Sequence, residues 1–256
     1  KQKTAYEIVS RDWSSDVCSS DLGNTTGCSN IALGYGSLKA NTGGNCNVAL
    51  GYQALNSNTT GNFNIAFGAC ALYSNTYGLN NFAAGNTAAY KNVSACNNID
   101  IGYGASYNNI SGCNNVALGY QALYLNTASN NFAVGYQALY TNTASNNFAV
   151  GCCALYSNTT GSNNFAVGYV ALNSNTYGSN NFAVGTCALK VNTCGCSNIA
   201  IGICALASNV SGCNNVALGC QTFASNKGGN NNFVAGYNAM NFGNTCGSNN
   251  FAVGNN

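Results

Sequence analysis

The chain has 256 residues, no His, no Pro, 15 Cys, and only 5% charged residues with a net charge of +2. So little charge excludes an electrostatic footprint for nucleic acid or an anionic membrane surface, and no apolar run reaches the ~18 residues of a membrane helix. Gly, Asn, Thr and Ser abound while Ala and Leu never fall at helical spacing, which is the composition of strands and turns.

Residues 1–22, KQKTAYEIVSRDWSSDVCSSDL, differ from everything after them. They hold the one Trp, the one Arg and four of the five acidic residues. The segment resembles the conceptual translation of a short-read sequencing adapter, with Lys1 to Ile8 matching one end and Arg11 to Leu22 the primer segment. It is expected to be an artefact or a disordered arm. Gly254-Asn255-Asn256 stops within a repeat, so the expectation is a fragment truncated at both ends.

Residues 23–256 form one array. Fourteen marker glycines, from Gly34 to Gly254, follow one another at steps of 17, with two steps of 16 and a last step of 18. The unit reads N-N-φ-A-φ-G-Y-Q-A-L-Y-S-N-T-T-G-S, where φ is a large apolar residue. This period is too short for a helical-hairpin repeat and matches the circumference of one solenoid coil. It predicts an all-β, parallel β-solenoid (β-roll) of about 14 coils, roughly 65 Å long at ~4.8 Å per coil. The 16-residue steps lose a residue between Thr127 and Asn130 and between Thr143 and Asn146, in a corner where loops tolerate length changes.

Two Asn positions vary least. One lies four residues before the marker Gly (Asn47, Asn64, Asn81, Asn98, Asn115), the other seven after it (Asn58, Asn75, Asn126, Asn142, Asn158). Asn tolerates left-handed backbone, and stacked Asn amides bond along a parallel stack, so each position predicts a ladder at a corner. Between corners, φ-A-φ-G alternates with strand period. The larger residues, Phe165 and Val167, are expected to meet Leu172 in a narrow core. Ala166 and Gly168 then form a flat face open to ordered solvent or a neighbouring chain. The A-L-Y-S segment is expected to be a second short strand.

The phrases NNVALG, at Asn114–Gly119 and Asn214–Gly219, and NNFAVG resemble the head repeat of trimeric autotransporter adhesins, N-S-V-A-I-G. The longer phrase through A-L-Y-S-N-T-T-G is similar to repeats in fibre-like proteins of bacteriophages and large viruses. The resemblance covers residues 23–256, with Asn in the Ser place and a unit a few residues longer. It implies a left-handed β-roll, commonly trimeric, used as a shaft or adhesive head outside the cell, on its surface or on a virion. The neck, coiled-coil stalk, membrane anchor and chaperone domain of those families fall outside these residues.

The chemistry of catalysis is nearly absent. After Leu22 the ionisable groups other than Cys and Tyr are Lys39, Lys91, Lys190, Lys227 and Asp100. General acid/base pairs and Ser-His-Asp or Cys-His sites have no parts to be built from, so no catalytic, cofactor or metal residue is assigned. Asp100, in an Ala slot, reads as a tolerated substitution. The cysteines keep register instead of scattering. Cys96/Cys113, Cys187/Cys204 and Cys196/Cys213 are each 17 apart, and stacking at ~4.8 Å lies within disulfide range. Free thiols filling Ser or Gln slots, inter-coil or inter-chain disulfides, and metal binding without any C-x-x-C pair remain the three readings. Asn24, Asn58, Asn92, Asn109, Asn158 and Asn209 head N-x-S/T sequons.

The reading that follows is a non-enzymatic structural or adhesive fibre segment, a homo-oligomer by resemblance. Tyr35, Tyr52, Tyr120, Tyr136 and Tyr169 are placed either to stack on a surface glycan or to cover the core edge. A second reading is a subunit of an end-to-end filament, since near-zero charge and bare edges favour association. A third is an ice-binding face of the Ser/Thr pairs Ser57/Thr59, Ser74/Thr76, Thr141/Thr143, Ser157/Thr159 and Ser174/Thr176.

Overall fold

The computed structural model describes residues 13–14, 23–241 and 245–255, which fall into two compact units, Lys1–Thr127 and Ala128–Asn256. Among the described residues there are strands and turns and no helix. In the first unit the main strands are Ile31–Leu33, Val48–Leu50, Ile65–Phe67, Phe82–Ala84, Ile99–Ile101 and Val116–Leu118. In the second they are Phe132–Val134, Phe148–Val150, Phe165–Val167, Phe182–Val184, Ile199–Ile201, Val216–Leu218, Phe233–Ala235 and Phe251–Val253. Within each unit every strand lies parallel to the next, and each residue sits beside its repeat equivalent: Val48 beside Ile65, Ala49 beside Ala66, Leu50 beside Phe67. Parallel strands need a long return connection, and here that connection is one circuit of the coil. Both units are therefore parallel β-solenoids, with about 13 turns where about 14 coils were expected.

The core corrects one expectation. Ala166 is completely buried, whereas Phe165 and Val167 on either side of it are half-exposed, and the same pattern holds along both stacks. The alternation was read correctly, but the small face points inward. The reason is circumference. Each circuit already carries inward Asn, Ala, Ala, Leu and Asn, as in Asn47, Ala49, Ala54, Leu55 and Asn58, all fully buried. With the circuit already filled, close packing rejects extra volume at the strand position, and the Phe that is buried, Phe223, takes the Leu slot of its coil instead. Leu172 is inward as expected.

The A-L-Y-S segment is a pair of turns in most coils, not a second strand. Ala54 N–H donates to Gly51 O and Asn58 N–H to Leu55 O, each closing a four-residue turn. Gln53 (φ 54°) and Leu55 (φ 50°) have left-handed backbone, and Ala54 between them does not. The segment still bonds to both adjoining coils: Gln53 N–H donates back to Tyr35 O at 2.8 Å and Leu55 N–H forward to Ala71 O at 3.0 Å. Among the described residues the segment reaches into a two-residue strand at Leu125–Asn126 and Thr141–Asn142, beside the shortened corners. The turn begins at the marker glycine, and Gly51 shows why no other residue serves. Its φ is +141°, and a Cβ there would lie 2.5 Å from Gly68 O.

Changes in repeat length stay in the corners. Phe148 pairs with Phe132 across a step of 16, and Phe233 pairs with Phe251 across a step of 18, with strand register intact in both. The expected arm, residues 1–22, lies outside the described residues except for Trp13–Ser14, which pair in parallel with Ile31 and Ala32.

Candidate functional site

The Asn four before the marker Gly uses all of its side-chain valences. Asn64 Nδ2 donates to Asn47 Oδ1 one coil back at 3.2 Å and to Gly78 O at 2.8 Å, while Asn64 N–H donates to the same Asn47 Oδ1 at 3.0 Å. Asn81, Asn98, Asn181, Asn198, Asn215 and Asn232 repeat the arrangement. Asn115 N–H continues it onto Asn98 Oδ1 at 2.8 Å. A buried amide is tolerated only when so paired. The left-handed backbone expected at this position is instead on the preceding residue, such as Asn163 (φ 59°) or Asn214 (φ 57°).

The second ladder has a break. Asn58 donates to Asn41 at 2.9 Å and Asn75 to Asn58 at 2.8 Å, but the buried Asn75 Oδ1 accepts no hydrogen bond. Asn92 Oδ1 accepts locally from Ala95 N–H. Ala95 stands where Gly61 and Gly78 stand in their coils, and a Cβ at Gly78 would lie 2.2 Å from the Oδ1 of Asn75. The methyl of Ala95 crowds the ladder rotamer of Asn92, and Asn109, beside Gly112, takes the same local arrangement, so the break extends over two coils. In the second unit the ladder runs unbroken through Asn158, Asn175, Asn192, Asn209 and Asn226, with Asn158 donating to Asn142.

Sequence reasoning missed a third ladder, six before the marker Gly, and it accounts for several cysteines. Cys96 N–H donates to Cys113 Sγ at 3.2 Å, and Cys196 N–H to Cys213 Sγ at 3.1 Å. In other coils the acceptor is Asn62 Oδ1, Ser179 Oγ or Asn230 Oδ1. Cys, Ser and Asn alternate because each offers an acceptor close to the backbone. The signal was this shared chemistry, hidden by three different residue names. All fourteen described cysteines are free thiols, including Cys187 and Cys204, stacked two places after the marker Gly. Burial pushes the thiols of Cys96, Cys204 and Cys70 up from their usual range.

The outer surface carries the large side chains. Ile31 and Leu33, Ile99 and Ile101, and Ile199 and Ile201 are each roughly two-fifths to one-half exposed. In the second unit Phe132, Phe148, Phe165 and Phe182 stack face to face at 4.6 to 4.8 Å. Each solenoid thus shows a flat, uncharged strip two side chains wide. The tyrosines form comparable combs. Tyr35 stacks on Tyr52 at 5.6 Å and Tyr103 on Tyr120 at 5.3 Å, so ring faces expected to meet sugars are partly covered by neighbours. Tyr136 and Tyr169 are exposed in the second unit. Tyr73, Tyr90, Tyr107 and Tyr124 form a second comb, with Lys91 Nζ 5.6 Å from the centre of the Tyr107 ring.

Asp100 replaces the inward Ala of its coil and is fully buried between Ala83 and Ala117. Neither carboxylate oxygen has a hydrogen-bond partner, nor does the buried hydroxyl of Ser106, which stands in the Leu slot of the same coil. Burial raises the Asp100 pKa from 3.8 to about 7, slightly offset by Ser106. The coil before has Ala89 in the Leu slot, so the first unit has a locally small and polar core here.

Other expected features are placed by the same geometry. Asn58, Asn92, Asn109, Asn158 and Asn209, five of the six sequon residues, are buried ladder positions. The hydroxyls of Thr59, Thr159 and Thr176 donate to backbone carbonyls one coil on, leaving no free row of threonine donors. Among the described residues no group of three or more His, Cys, Asp or Glu could hold a metal, and no helix is long and apolar enough to cross a membrane. Comparison with protein-family models, with curated proteins and with solved structures finds no match.

Proposed function

We propose that the chain is a non-enzymatic structural segment of an extracellular, cell-surface or virion fibre, in which copies of the chain pack together through the outward apolar strip. The observation that carries this reading is the strip itself. The six main strands of the first unit and the eight of the second each contribute outward apolar residues and no charge. At ~4.8 Å per coil the strip covers on the order of a few hundred Å² in each unit. A patch of this size is comparable to the largest that a monomer leaves exposed, and such patches often mark interaction sites. A closed symmetric assembly covers one strip with another, and the resemblance to adhesin heads makes three chains the expected number.

The test is the mass of the full chain in solution by light scattering, with reductant present. A three-chain mass is expected. Replacing Phe165 and Val167 together with Lys is expected to give a single-chain mass with the β circular dichroism retained, because both side chains point outward. A single-chain mass for the unaltered protein overturns the reading. A mass that grows without limit with concentration replaces it with the end-to-end filament.

A further inference from the structure

Neighbouring residues in a strand point to opposite faces, so adjacent cysteines in extended chain keep their sulfurs apart. Cys152 and Cys153 follow the marker Gly151 (φ +133°), and Cys153 itself is left-handed at φ 55°. This turn brings both side chains to one side, with Sγ to Sγ 3.5 Å. Both residues are partly exposed. Tyr52-Gln53 and Tyr120-Gln121 hold the same two places in other coils, so the fold does not require thiols there.

We propose that Cys152 and Cys153 form a chelating dithiol site for a soft trivalent centre, with trivalent arsenicals as the ligand class. Two sulfurs already this close on a fixed turn need little movement to bind one such atom. The reaction is a condensation: two As–S bonds form and two As–O bonds break. The oxygens leave as water with both thiol protons, and nothing is oxidised or reduced. Thiol–disulfide exchange is the poorer use of this pair, because it depends on the thiolate. Burial, together with the hydrogen bond shared with Cys152, pushes the Cys153 thiol up to about 11. A second bond from the same turn is an intramolecular event, so chelation exceeds single-thiol binding by about a hundredfold or more.

The test treats the full, reduced chain with one equivalent of phenylarsine oxide. Excess monothiol is then added, and the label is located by mass spectrometry of the peptides. One arsenical per chain, resistant to monothiol, released by a dithiol and mapped to residues 152–153, is expected. Cys152→Ser and Cys153→Ser should each lose the resistant label, while Cys187→Ser should keep it. A label washed out by monothiol, mapped to other cysteines, or retained in either serine variant overturns the proposal. The mapping on the unaltered protein decides the matter even if a variant folds poorly.

Discussion

Asn75 donates from Nδ2 to Asn58 Oδ1 at 2.8 Å, yet its own buried Oδ1 receives nothing from Asn92 one coil on. Ala95 stands where Gly61 and Gly78 stand in their coils, and its methyl crowds the space the Asn92 amide needs. Ala95→Gly should therefore let Asn92 rotate onto Asn75. Satisfying a buried acceptor contributes about 1–3 kcal/mol, and the added glycine costs about 0.5–1 kcal/mol. A net gain of about 1 kcal/mol, read as a higher denaturant midpoint, is expected. An unchanged or lower midpoint would reject this account.

Asp100 predicts the pH dependence. Its pKa is raised in the folded chain to about 7 from 3.8. The folded state therefore holds its proton over a range in which the unfolded chain has released it. Stability is greatest below pH ~4, falls as pH rises towards 7 and levels off above it. Three pKa units correspond to about 4 kcal/mol, an upper figure. Asp100→Ala should flatten the slope between pH 4 and 7 and raise stability at pH 8. Denaturant midpoints across that range check it, and parallel curves for the two proteins would contradict it.

The inward and outward faces of one strand should respond in opposite ways. Ala166→Leu forces volume into a tube already filled, and about 1–3 kcal/mol should be lost. Phe165→Ser, one residue away, should change the unfolding of the isolated coil far less while reducing association. Paired measurements of unfolding midpoint and solution mass separate the two effects.

Cys213 distinguishes an acceptor from a bridge. Its sulfur accepts from Cys196 N–H. Cys213→Ser should be nearly neutral, as Ser179 already plays this part for Ser162. Cys213→Ala removes the acceptor and should cost about 1 kcal/mol. Equal loss in both variants would favour a disulfide over an acceptor role.

The repeat itself disclosed the coil length and both Asn ladders, because a position filled by Asn in successive coils has few physical explanations. The inward face was not legible in the same way. In Phe165-Ala166-Val167 the alternation is symmetric, and hydrophobicity favours the wrong side. Only the closure of a 17-residue circuit around Asn, Ala and Leu decides it. The turn at Gly51 to Asn58 was hidden for a similar reason: left-handed backbone at Gln53 and Leu55 is not written in those residue types, and is imposed by bonds to the coils on either side. Asp100 was read as an ordinary substitution because its slot was placed on the outside.

The ladder four before the marker Gly has a direction. In the first unit Asn47, Asn64, Asn81 and Asn98 all donate towards the lower-numbered coil, and in the second unit Asn164 through Asn232 do the same. Amides aligned head to tail add their dipoles, and chains of hydrogen bonds polarise one another. With 5% charged residues, this ladder is thus a polar column running along the axis of each solenoid, set by uncharged side chains and therefore insensitive to pH.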